Sequence, residues 1–109
     1  MNDGSIAVIP LAGELEIGRK AEIRSALQLP GSAKSILIDC SDVTYADSTA
    51  LAELMRFNHE ADAECVGVAI LIGNPQFARL LHYAGLVHVF EVFESRAAAL
   101  SYLGARNAP

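Results

Sequence analysis

The run Val66-Gly67-Val68-Ala69-Ile70-Leu71-Ile72 carries no polar side chain. A strand with one wet face alternates apolar and polar residues, so an unbroken apolar run predicts a strand covered on both faces. Ser35-Ile36-Leu37-Ile38-Asp39 is a second run of this kind, with polar ends. Each run is followed by residues whose apolar positions recur with helical spacing. After Ser35–Asp39, Leu51, Leu54, Met55 and Asn58 fall at i, i+3, i+4 and i+7, predicting a helix to about Ala61. After Val66–Ile72, Asn74 suits an N-cap, Pro75 the first helical position, and Phe77, Leu80, Leu81 and Ala84 an apolar stripe that Gly85 ends.

The flanks continue the alternation. Ile6 to Leu11 reads as a strand between Gly4 and Gly13, with Pro10 demoting it to an edge or a bulge. Arg19 to Leu27 reads as a helix stopped by Pro30 and Gly31. Val87 to Phe93 reads as a strand, and Ser95 caps an Ala-rich helix to about Leu103, beyond which ARNAP frays. Strands alternating with helices predict an α/β sheet with helices packed against it. At 109 residues the chain is expected to be one domain, 1–109. Phe57, Met55, Phe77 and Tyr83 lie at helical spacings and are expected in the core or between helices.

Charge narrows the partners. Eight basic against thirteen acidic residues give a net charge of -5, which disfavours both nucleic acid and an anionic membrane surface. A basic protein surface fits better. Residues 1–13, MNDGSIAVIPLAG, lack the charged and apolar regions of a signal peptide, and no apolar run approaches the roughly 18 residues of a membrane span. The expectation is a cytoplasmic protein, with Cys40 and Cys65 as reduced thiols in or near the core.

Nothing in the chain spells out an enzyme. His59, His82 and His88 are dispersed, and no H-E-x-x-H, GxxxxGK[ST], GxGxxG or GxSxG pattern occurs, so no cofactor is expected. Asp39, Asp42 and Asp47 cluster at the end of one strand and could hold a cation together, but the stronger reading is that they serve a strand exit, a turn and a helix start.

The stretch DVTYADSTAL, residues 42–51, stands out by its position. In an α/β sheet, partners meet the loops at the carboxyl ends of strands, and here the loop leads into a helix start. Free amides and the helix dipole would favour a phosphoryl group there, which carries roughly -1.5 to -2 charges. The same residues also make an ordinary cap. A Ser or Thr nucleophile would need an oriented base, and no local residue supplies one.

Three segments together resemble the STAS domain family, and specifically its stand-alone anti-sigma factor antagonists. LAGELEIGRKAEIRSAL is similar to the family's L-x-G-E-L-D strand exit and first helix. ILIDCSDVTYADSTALAEL is similar to its hydrophobic strand and D-x-S-x-V-x-x-x-D-S-S-G-L signature, and GNPQFARLLHYAGLVHVFEVFESRAAAL to its P-x-V-x-x-x-L-x-x-x-G-L helix, last strand and closing helix. The resemblance implies a single four- to five-stranded mixed sheet with about four helices packed mainly on one face. It implies no enzymatic activity. The dephosphorylated protein would bind an anti-sigma factor that is also a serine/threonine kinase, phosphorylation would release it, and a phosphatase would reset the cycle. Carried onto this chain, Asp47 is the motif's acidic residue, Ser48 its first hydroxyl and Thr49 the acceptor, with Ser48 the fallback. Asp42, Tyr45, Asp47, Ser48, Thr49 and Ala50 would form the partner surface of a monomer or weak dimer. Thr49 stands where Ser is usual, and Ala50 replaces a Gly that lets a partner's backbone approach. A second member type, the accessory subunit of an ABC-type lipid transport complex, would dock the same helix end on an ATPase.

Overall fold

The computed structural model describes residues 5–107. Four strands, β1 (Ile6–Leu15), β2 (Ser35–Ala46), β3 (Gly67–Ile72) and β4 (Glu91–Phe93), lie side by side in that order. Helices α1 (Lys20–Ala26), α2 (Ser48–Ala63) and α3 (Pro75–Tyr83) connect them, and α4 (Arg96–Asn107) follows the last strand. All three strand pairings are parallel, so the mixed sheet expected from the sequence is corrected. The reason is connectivity: a helix separates each strand from the next, and such a crossover returns the chain in the same direction.

The layering follows from the same connectivity. Crossovers are right-handed in about 98% of cases, so three that step the same way across a sheet put their helices on one face. Ile23 of α1 and Leu27 at its end, Leu54 and Phe57 of α2, and Phe77 and Leu81 of α3 accordingly share a core with Ile36, Ile38, Val68 and Ile70. The alternate positions Leu37, Ala69 and Leu71 face the other way and pack on Ala99 and Leu103 of α4. Double coverage is why the two central strands read as unbroken apolar runs.

Several local expectations shift. Along α2 the buried stripe is Ala50, Leu54, Phe57 and Ala61, so Met55 is exposed, as is Tyr83 on α3. The strand expected over Val87–Phe93 shrinks to β4, because residues 86–88 form a 3-10 turn entered from Gly85 at φ 77° and closed by Phe90 N–H donating to Leu86 C=O at 2.9 Å. Cys40 is buried, and burial with the Asp39 charge pushes its thiol up to about 12. Cys65 is exposed rather than near the core, since it follows α2 with φ 60° and points outward; both thiols are free. Helix α4 does not fray at Arg106 and Asn107. Asn107 accepts from the Ser35 hydroxyl at 2.6 Å and donates to Ser5 at 3.2 Å, tying its end to the sheet. Residues 108–109 of the expected fraying tail and residues 1–4 of the leader reading lie outside the described residues.

Candidate functional site

The stretch expected to be a loop is the far half of β2. This strand pairs with β3 only from Ser35 to Cys40, but with β1 all the way to Ala46. Two register shifts against β1 place an extra β2 residue opposite Pro10–Ala12 and another opposite Gly13–Glu14. Each bulge changes the inward period from two residues to three. The inward side chains therefore run Ile36, Ile38, Cys40, Val43, Ala46. Asp42 and Tyr45, expected in a turn and a loop, are exposed strand residues paired with Ala12 and Glu14.

Beyond Cys40, β3 no longer covers the second edge of β2, and the start of α3 takes over. Asn74 donates from Nδ2 to Thr44 C=O at 2.9 Å while its Oδ1 caps α3, accepting from Gln76 and Phe77 N–H at 2.7 and 3.1 Å. The Gln76 carboxamide pairs with both backbone groups of Ala46. Gly73 suits the close approach here, because a Cβ on it would sit a tight 3.0 Å from the Ser41 carbonyl oxygen. On the opposite side, Arg19 donates from one terminal nitrogen to the Ala12 and Glu14 carbonyls at 2.8 and 2.7 Å, occupying β1 acceptors. Side chains thus finish the strand pairing that backbone leaves incomplete at this pole.

Asp47 turns the strand into the helix. Its N–H donates to Leu15 C=O at 3.1 Å, and its carboxylate accepts from Thr49 N–H at 2.8 Å as the N-cap of α2. Its carbonyl accepts from Ala50 and Leu51 N–H at 3.0 and 3.4 Å. The expected cradle of free amides is therefore already filled at residues 49–51. Ser48 is exposed and Thr49 half-buried, side by side at the first turn. Ala50, expected on the partner surface, is 0% exposed and belongs to the core, so its methyl turns away from any partner. Tyr45 at 44% exposure and Ile17 at 71%, just past the end of β1, add apolar surface at the carboxyl ends of the strands.

The three aspartates expected to be close do not converge. Asp39 accepts from Ser41 N–H and Oγ at 3.0 and 2.6 Å and is ion-paired with Arg96 at the start of α4. Burial pushes the Asp39 carboxyl up, but the Ser41 bonds and the Arg96 guanidinium outweigh it and leave the group below its ordinary value. Among the described residues no group of His, Cys, Asp and Glu is arranged to hold a metal ion. No helix among them is long and apolar enough to cross a membrane.

Sequence reasoning missed two groups here. Gln76 has no local signature, because its partner is 30 residues away. Glu53, at 2% exposure, sits on the half of α2 nearest the site, held by Arg24 at 2.9 and 2.8 Å and by Arg56 at 3.0 Å. Its only sequence signal was the Arg56 spacing at i+3.

A family model for the STAS domain matches residues 2–99. No curated protein sequence matches the chain. An anti-sigma factor antagonist from Mycobacterium paratuberculosis superposes with a TM-score of 0.84 at 23% identity, over 94% of this chain and 88% of that one. The anti-sigma factor antagonist SpoIIAA in its unphosphorylated form superposes with a TM-score of 0.68 at 16% identity, over 99% of this chain and 96% of that one.

Proposed function

The chain belongs to the STAS domain family, and on that premise we propose that it is an anti-sigma factor antagonist that works by partner switching. Unphosphorylated, it binds an anti-sigma factor that is also a serine/threonine kinase; phosphorylation at Thr49 releases it, and a phosphatase restores it. The observation that carries this reading is the corner itself, a pair of adjacent hydroxyls at the start of α2, flanked by the exposed Asp42 and Tyr45. The two structural neighbours named above are both anti-sigma factor antagonists, which supports the same reading.

The transfer would form a bond from phosphorus to Thr49 Oγ1 and break the β–γ anhydride of ATP, with ADP leaving. The hydroxyl proton would pass to a base supplied by the kinase, because Asp47, the carboxylate among the groups bonded around the corner, is already engaged by the Thr49 amide. The consequence follows from Asp47. Its carboxylate already bonds the Thr49 amide, so a phosphoryl group on residue 49 would arrive beside a like charge. At about 6 Å and an effective dielectric of about 20, two unit charges repel by about 3 kcal/mol. A helix N-terminus returns only about 0.3–1 kcal/mol to an anion. Repulsion wins, so phosphorylation would act by crowding Asp47 and the partner surface rather than by docking the phosphate on free amides.

The test is mass spectrometry after incubation with ATP and the cognate kinase. One phosphoryl group is expected on the wild-type protein and on Ser48→Ala, and none on Thr49→Ala. Phosphate on Thr49→Ala together with its loss from Ser48→Ala would move the acceptor to Ser48.

A further inference from the structure

Ala46 is the last residue of β2, immediately ahead of the Asp47 cap. Its N–H donates to Gln76 Oε1 at 3.1 Å, and its C=O accepts from Gln76 Nε2 at 2.9 Å. A neighbouring strand would normally offer this pair of bonds, but β3 ends at Ile72, opposite Cys40. On its other side Ala46 is paired with Leu15, whose carbonyl also takes the Asp47 N–H at 3.1 Å. The residue ahead of the cap is thus gripped from both edges, on one of them by a single side chain from another helix. Asn74, two residues before Gln76, holds Thr44 on the same edge.

We infer that Gln76 is a positioning residue for the Ser48–Thr49 corner. Its carboxamide acts as a one-residue strand that fixes the direction in which β2 delivers Asp47, and so the orientation of both hydroxyls. This rests on the reading that the corner is where the partner docks. The chemistry of the grip is selective, since it needs a donor and an acceptor on one planar side-chain end at glutamine length. A carboxylate offers two acceptors and would oppose the Ala46 carbonyl. A protonated carboxyl offers one donor and one acceptor and would restore the pair. Glutamate at this position would make the corner switchable by pH, whereas a side chain that merely filled space would not.

The experiment is NMR of the free, 15N-labelled full chain, comparing wild type with Gln76→Met and Gln76→Glu. In Gln76→Met, hydrogen exchange at residues 46–50 is expected to speed up by about tenfold or more, with the amides of residues 36–38 and 68–71 unchanged. In Gln76→Glu at pH 7 the signals of residues 46–49 should be displaced. On acidification they should return towards wild-type positions, with a midpoint above that of an ordinary carboxyl. Glu14, Asp42 and Asp47 flank the corner from β1, β2 and α2, so a parallel titration of the wild type removes their contribution. Unchanged exchange at the corner in Gln76→Met overturns the inference. If that variant does not fold, corner signals in Gln76→Glu that match wild type at pH 7 and fail to titrate overturn it instead. No partner or kinase enters this readout. A failed positioning test therefore leaves the phosphoacceptor reading standing, and a Thr49 that is never phosphorylated leaves the positioning result standing.

Discussion

Asn74 serves two elements with one side chain: its oxygen caps α3 and its nitrogen holds the Thr44 carbonyl of β2. The two duties separate by substitution. Aspartate is as good an N-cap as asparagine, so Asn74→Asp keeps the cap, but an oxygen then faces an oxygen at Thr44. We expect Asn74→Asp to lose about 1–2 kcal/mol in chemical denaturation, the range for a broken hydrogen bond with an unsatisfied group left behind. A variant as stable as wild type would show that the Thr44 bond contributes nothing. The N-cap was legible in the sequence because Asn-Pro carries it locally. The bond to Thr44 was not, because no local pattern reports a partner across 30 residues. Ala50 shows the same limit from the other side. The motif placed it at a partner surface, whereas its position one turn before Leu54 on the buried stripe puts it in the core.

At the scale of the element, α2 ends in a way its sequence does not advertise. Val66 N–H donates to Ala61 C=O at 2.8 Å and Cys65 N–H to Asp62 C=O at 3.0 Å, the paired bonds of a Schellman ending. That ending wants glycine at the left-handed position, and Cys65 occupies it at φ 60°. A left-handed non-glycine residue costs about 1–2 kcal/mol, and glycine gives back part of this in chain entropy. Cys65→Gly should therefore gain about 0.5–1 kcal/mol, while Cys65→Ala, which removes the thiol but keeps the strain, should be near neutral. Equal stability of the two variants would remove strain as the explanation. Elements were readable where their period was uniform, as in β3 and α3. They failed where the period changed. The bulges in β2 space Cys40, Val43 and Ala46 three apart, so the pattern no longer alternates and imitates a loop. Near the other end, Val87 to Phe93 alternates like a strand, but the turn that follows Gly85 consumes its first residues.

Over the whole molecule, buried carboxylates tie elements together, one pair within the helical layer and one between the sheet and α4. Glu53 joins α2 to α1 through Arg24, and Asp39 joins β2 to α4 through Arg96. The Arg24 bond leads, and with Arg56 it overcomes the burial penalty to hold the Glu53 carboxyl at about 2, against an ordinary 4.5. A group whose pKa is lower in the folded state binds fewer protons there than in the unfolded chain. Its stabilisation is present above the unfolded pKa and fades as pH falls towards the folded one. Asp39 is shifted in the same direction, so both contributions fade together on acidification. The urea midpoint should hold steady above about pH 5 and fall between about pH 5 and 2. Glu53→Gln removes the larger contribution. It should cost about 1–3 kcal/mol at pH 7, towards the lower end because the Arg24 side chain is 51% exposed. Its acid slope should be shallower than that of wild type, so that the two proteins converge in stability near the acid limit. Parallel slopes would mean that the charge on Glu53 is not what the folded state is protecting. The test also bears on the candidate site, because Glu53 lies four residues beyond Thr49 on α2. A negative group added at residue 49 would therefore find, one turn away, a carboxylate whose charge Arg24 and Arg56 offset, which leaves Asp47 as its main like-charged neighbour.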